Sequence, residues 1–272
     1  MRVVILTSVR AGLASRCLPA LCNSTAIDVA GVVLAGPGAP AKRRHLARKL
    51  RKMMQIGPLG AINGIRMRAW YHDSGARDIE SVAAAYGVPV WETSGVNTDE
   101  TRSRLREAEA DLGLSLGNPY IAPSVFSIPR LGMVNVHTEL LPEYQGAQSV
   151  IWPIHEGQSE TGFSIHRIDR TIDTGELLLV RRMPILFGDS LAETVRRTVA
   201  ATMEAVPAGL VEVCENYEAL KSAAVAQPRM KPFTTPTFGQ FLRMELRHRQ
   251  MRSRAAPAEA GEASEDRRKR AM

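Results

Sequence analysis

Cysteine is scarce. Cys17, Cys22 and Cys214 are the only three in 272 residues, an odd and unpatterned count that excludes a disulfide framework and points to a thiol-reduced, cytoplasmic protein. The six histidines form no H-E-x-x-H pair and the cysteines have no zinc spacing, so no metal is expected. Long apolar runs are missing too. The longest uncharged stretch, residues 112–129, contains Asn118, three prolines and two glycines, which excludes a bilayer-spanning helix. No membrane partner is expected. The opening MRVVILTSVR has too short an apolar run before Arg10 for a signal peptide. Three further motif absences are equally informative. The first strand turn lacks G-x-G-x-x-G, which argues against a dinucleotide pyrophosphate. No G-x-x-x-x-G-K-[ST] cradles a triphosphate, and no G-x-S-x-G elbow carries a hydrolase serine. Hydrophobic residues at 44% and charged residues at 23% exclude a disordered chain, a collagen and a coiled coil.

The charge is uneven. Residues 227–272 hold 11 Lys and Arg against 5 acids, nearly the whole of the net +7. Residues 42–52 hold 7 basic residues and no acid. Each attachment suits a polyanion or simply a solvated face. RNA binding through the tail is kept open but not favoured.

Apolar, β-branched runs at 3–7 and 28–35 flank a helical pattern through Arg16, Leu18 and Leu21, a β-α-β start with parallel pairing. A basic helix is predicted over 41–55, helices over 76–86 and 98–108, and strands over 88–91, 111–117 and 132–136. Residues 162–168 and 176–185 read as an antiparallel pair. Asp189-Ser190 then caps a long helix whose apolar positions run through Val213. The fold class is α/β: a Rossmann-like open, mostly parallel sheet with a short C-terminal helical or extended segment. Residues 1–217 are expected to form the catalytic domain, with a basic insert at 40–73. Residues 218–251 are an extension in which Phe233, Phe238, Phe241 and Leu242 pack back on the body. Residues 252–272, lacking apolar periodicity, are expected to be a disordered basic tail.

The stretch that carries chemistry is GMVNVHTELLPEYQG, residues 132–146. Asn135 and His137 share a strand face and lie at its C-terminal end, where open α/β sheets place ligands. Asp173, in the polar turn 169–175, is expected to reach a neighbouring strand end. An amide, an imidazole and a carboxylate together suit acyl transfer to an amine. The first two stabilise the oxygen that becomes negative and the third takes the amine's proton.

These residues resemble the 10-formyltetrahydrofolate-dependent formyltransferase family, which includes methionyl-tRNA, glycinamide ribonucleotide and amino-sugar N-formyltransferases. The resemblance rests on Asn135-Val136-His137, Leu140-Leu141-Pro142, Asp173-Thr174-Gly175 and the upstream Asn118-Pro119-Tyr120-Ile121-Ala122-Pro123. It implies that Asn135, His137 and Asp173 are catalytic and that 10-formyltetrahydrofolate is the co-substrate. The pterin would then lie against Asn118, Tyr120 and Ile121 and the backbone of Asp169, Arg170, Thr171 and Ile172. Thr138, Glu139 and Gln145 occupy loop positions that would meet the acceptor. Thr138-Glu139 stands where the family often has a small pair. Gln145 stands where a basic residue is common, which argues against transfer RNA as acceptor, as does the lack of room for a β-barrel after the last long helix. The expected partner is a small-molecule primary amine, a nucleotide-linked amino sugar first among them, with a homodimer left open. Methionyl-tRNA is the second acceptor. An inactive formyltransferase fold that binds nucleic acid, and hydrolysis of the formyl donor, are the other two readings.

Overall fold

Parallel strands buried on both faces need apolar side chains in both directions, and the first strand has them. A computed structural model describes residues 1–38, 42–71, 75–146 and 148–270. Strand β1 (Arg2–Thr7) sends Val3 and Ile5 into one core layer and Val4 and Leu6 into another. After α1 (Leu13–Asn23), β2 (Asp28–Ala35) pairs with β1 in parallel, and β3 (Val90–Thr93) pairs with β2 in parallel. The chain then returns to the other side of β1 with β4 (Leu112–Ser115), followed by β5 (Met133–His137), both parallel. Strands β6 (Glu160–Arg167) and β7 (Leu177–Pro184) close the sheet in antiparallel fashion. The order is β3-β2-β1-β4-β5-β6-β7. The reversal at β1 and β4 opens a crevice beyond their C-terminal ends. The expected mostly parallel α/β sheet is therefore present, with β6 and β7 forming the expected antiparallel pair.

Local signals placed the helix starts. Asp78 accepts the Glu80 N–H before α3 (Ile79–Ala85), Thr98 accepts the Thr101 N–H before α4 (Asp99–Glu107), and Ser190 accepts the Glu193 N–H before α7 (Leu191–Glu215). Two elements differ from expectation. The basic helix α2 (Lys42–Arg68) is broken at Gly57, whose φ 73 and ψ 164 are not helical, just past the expected end at residue 55, and a second helical piece that was not expected runs on to Arg68. Its second half is held non-locally. Met67 and the adjacent Trp70 pack with Phe241 and Met244 of α9 (Phe238–Arg270) in a separate core. The second difference is α9 itself. It continues through 252–270, where disorder was expected, and its Ala, Glu, Lys and Arg content supplies high helix propensity without an apolar stripe. Phe233 and Phe241 pack inward as expected, but Phe238 and Leu242 stay exposed. Pro40, Ala41, Asp73, Ala271 and Met272, which bounded the expected insert, basic helix and tail, lie outside the described residues. Between β4 and β5 lies α5 (Pro123–Phe126), between β5 and β6 lies α6 (Ile151–Glu156), and α8 (Tyr217–Ser222) follows α7.

Candidate active site

Strand register brings polar side chains into a row at the crevice. Ser115 of β4 stands beside Asn135 of β5, and Asn135 stands opposite His166 of β6. Hydrogen bonds run along the row in one direction. The Asn118 amide donates to Ser115 Oγ at 3.1 Å, and Ser115 donates to Asn135 Oδ1 at 3.1 Å. Asn135 Nδ2 lies 3.3 Å from His166 Nε2, and His166 Nδ1 lies 2.9 Å from the Arg167 carbonyl, which can only accept. This chain orients the Asn135 amide and leaves one of its two N–H bonds toward the crevice. Asn118 also ties β1 to β4, donating to the Leu6 carbonyl at 2.6 Å and accepting from Ser8 at 2.9 Å.

The carboxylate arrives from the turn between β6 and β7. Asp169 accepts from the Thr171 N–H and the Thr174 hydroxyl, which shapes the turn. Asp173 has φ 56, a left-handed conformation unusual for a residue with a side chain. The Gly146 N–H holds its Oδ2 at 3.1 Å. A Cβ on Gly175 would lie 1.7 Å from the Arg167 carbonyl oxygen, so only glycine lets the turn close here. Asp173 Oδ2 is 3.6 Å from His137 Nδ1, and Oδ1 is 3.6 Å from His166 Nε2. Burial pushes Asp173 up, but the two imidazoles and the Gly146 N–H outweigh it and hold the carboxyl below its ordinary value. Burial dominates at His137 and lowers it, against the raising effects of Asp173 and of the Tyr144 carbonyl, 3.0 Å from Nε2. The pair therefore stands at neutral pH as a carboxylate beside an uncharged imidazole.

Residues 138–146 pass over this cluster, with 148–150 beyond, and the Leu141–Pro142 peptide bond is cis. Glu139 anchors the loop from beneath. Its fully buried carboxylate accepts the Val150 N–H at 2.6 Å, the Thr161 hydroxyl at 2.7 Å and the Leu140 N–H at 3.1 Å. Val150 sits at φ 71, a strained position for a β-branched residue, and this bond helps to hold it there. Glu139 is thus directed into the protein, away from any acceptor. Its charge would be costly near an apolar core without those three donors. Gln145 is also buried, bonded to the Pro228 carbonyl and the Met230 N–H of the segment that leads to α9. Thr138 pairs with Ser149 at 2.7 Å. None of these three expected acceptor residues lines the crevice.

The crevice is a cavity of about 390 Å³. Nine of the sequence-predicted residues line it: Asn118, Tyr120, Ile121, Asn135, His137, Asp169, Thr171, Ile172 and Asp173. Arg170 does not. Ser115, Gly146 and His166 also line it, and sequence reasoning did not single out Ser115 or His166. A lone histidine near the end of an apolar strand was the available signal, but its partner is set by the β5–β6 register, which the sequence does not display. No His, Cys, Asp and Glu cluster suited to a metal is present among the described residues.

The formyl transferase family profile matches residues 1–210. The methionyl-tRNA formyltransferase of Synechocystis sp. is 34% identical over 143 residues, covering 49% of this chain and 43% of that protein. The methionyl-tRNA formyltransferase of Parabacteroides distasonis is 30% identical over 163 residues, covering 57% and 50%. The matches thus span half or less of these relatives' length. Among solved structures, phosphoribosylglycinamide formyltransferase from Bacillus halodurans superposes with a TM-score of 0.54 at 18% identity, over 81% of this chain and 98% of that one. The enzyme of the same name from Anaplasma phagocytophilum gives 0.53 at 18%, over 79% and 87%. At such identities the structures speak for the fold alone. With the profile covering most of the chain, this protein belongs to the formyl transferase family.

Proposed function

We propose that the protein transfers a formyl group from 10-formyltetrahydrofolate to a primary amine, with a small-molecule amine such as a nucleotide-linked amino sugar as acceptor. The observation that supports this is the meeting of Asn135, His137 and Asp173 at one cavity of a size that suits a pterin ring. In this reading the pterin lies against Asn118, Tyr120 and Ile121 and the turn at 169–173, whose main-chain groups read its edge. The free N–H of Asn135 meets the formyl oxygen. Its orientation is set before reaction by Ser115 and His166, so little reorganisation accompanies charge development. The uncharged His137 becomes a better proton acceptor as the formyl oxygen turns negative nearby. Asp173 attracts the amine and takes its proton directly or through water. The amine nitrogen bonds to the formyl carbon, the bond from that carbon to N10 breaks, and the amine's proton ends on N10. This route requires no covalent nucleophile.

Methionyl-tRNA is the second acceptor reading, favoured by the names of the relatives that match in sequence. The burial of Gln145 under the segment leading to α9 speaks against it, because the loop position has no free side chain to offer an acceptor end. Incubation with 10-formyltetrahydrofolate and a panel of nucleotide amino sugars, simple amines and methionyl-tRNA separates the two, with products identified by mass. An N-formylated small amine is expected. Formylation of methionyl-tRNA alone selects the second reading, and release of formate without any formylated amine contradicts both.

A further inference from the structure

Away from the cavity, exposed aliphatic side chains concentrate on two helices. In the second half of α2, Leu59, Ile62 and Ile65 are 54%, 62% and 66% exposed, and their three-residue steps place them on one face. The opposite face, with Ile56, Gly60, Asn63 and Met67, is buried. This stretch of helix is therefore apolar on two sides while protein covers only one. Helix α9 repeats the pattern: Phe238, Leu242 and Leu246 are exposed at steps of four, while Phe241, Met244 and His248 are buried. The two helices touch. A Cβ on Gly60 would meet the backbone of Pro236 and Phe238, and the Arg66 guanidinium lies over the rings of Trp70 and Phe241. Exposed apolar side chains concentrated on two touching helices mark a candidate interaction site.

Charge identifies the partner. In the second half of α2, residues 56–68 carry Arg66 and Arg68 and no acid. Over 238–254, α9 carries five Arg against the single acid Glu245. An apolar stripe on two helices whose charges here are nearly all arginine calls for a surface that is anionic outside and hydrocarbon beneath. We propose that the α2–α9 face docks on an anionic lipid bilayer, with Leu59, Ile62 and Ile65 entering at the headgroup boundary and the basic side chains meeting lipid phosphates. A second copy of the chain would bring two strongly basic faces together. A nucleic acid would match the charge and leave the aliphatic stripe in water. This replaces the expectation of no membrane partner, which rested on the lack of a spanning segment. No helix among the described residues is long and apolar enough to cross a membrane, and surface docking requires none.

Co-sedimentation of the full chain with vesicles tests this, using phosphatidylcholine alone and phosphatidylcholine mixed with phosphatidylglycerol. Binding to the mixed vesicles, little binding to the neutral ones, and weakening by salt are expected. The triple change Leu59→Gln, Ile62→Gln and Ile65→Gln should lower the partition coefficient by about tenfold or more, since each loses aliphatic surface to the bilayer. These side chains are exposed, so circular dichroism and thermal unfolding should show an intact fold. No binding to anionic vesicles overturns the proposal, and so does equal binding by the triple variant. A concentration-dependent dimer, or a complex with transfer RNA, that the triple change abolishes without any vesicle binding also overturns it. Formyl transfer to a soluble amine is measured separately and stands or falls independently.

Discussion

Two residues show how much a single side chain decides here. Burial raises Glu139 to about 7, against an ordinary value of 4.5. Between these values the folded chain holds a proton that the unfolded chain has released. The group's contribution to stability is therefore whole below the lower value and is lost as pH rises to the upper one. Glu139→Gln should flatten that part of the pH dependence of thermal unfolding. It should also destabilise the fold by about 1–3 kcal/mol, since an amide sets its N–H bonds against either the Val150 or the Leu140 N–H. A variant as stable as the parent would contradict this anchoring role. His166 is the other case. Its Nε2 faces both the Asn135 amide and Asp173 Oδ1, accepting from the first when bare and able to donate to the second when protonated. His166→Phe should lower kcat by about 10²-fold, with a smaller change in KM, because it removes a group that positions both partners. An unchanged kcat would remove His166 from the machinery.

At the scale of elements, local chemistry was legible and non-local chemistry was not. The cap at Asp189-Ser190 was visible because a hydroxyl and an N–H three residues on suffice to make it, as Ser190 does with Glu193. The Asp173-Thr174-Gly175 turn was visible for the same reason. Glu139 and Gln145 were misplaced because their side-chain directions depend on Thr161, Pro228 and Met230, far away in sequence. The second piece of α2, beyond the break at Gly57, was missed because the α9 residues that pack with it lie far away in sequence. Among the side chains described, those of α9 that are buried, Phe241, Met244 and His248, all precede residue 255. Deleting residues 255–272 should therefore leave formylation of a small amine within about twofold of the full chain, since those packing residues are all retained. A large loss confined to methionyl-tRNA would support the second acceptor instead.

At the scale of the whole molecule, the order β3-β2-β1-β4-β5-β6-β7 does most to place the site. It puts the reversal at β1 and β4, sets β5 beside that crevice, and lets the β6–β7 turn carry Asp173 back to His137. Alternating strands and helices made the sheet readable from sequence, and the N-x-H and D-x-G blocks pointed to residues that line the crevice beyond its strand ends. The same pattern could not reveal that α2 and α9 meet, because neither helix carries the other's register. The most direct measurement is formyl transfer from 10-formyltetrahydrofolate to a panel of primary amines, run with the parent chain and with Asp173→Asn alongside folate-analogue binding. Turnover by the parent, a loss of about 10³-fold or more in the variant and near-equal analogue binding are the predicted result. Equal turnover by the variant would contradict the role given to Asp173, and a parent chain that formylates no amine would contradict the reaction itself.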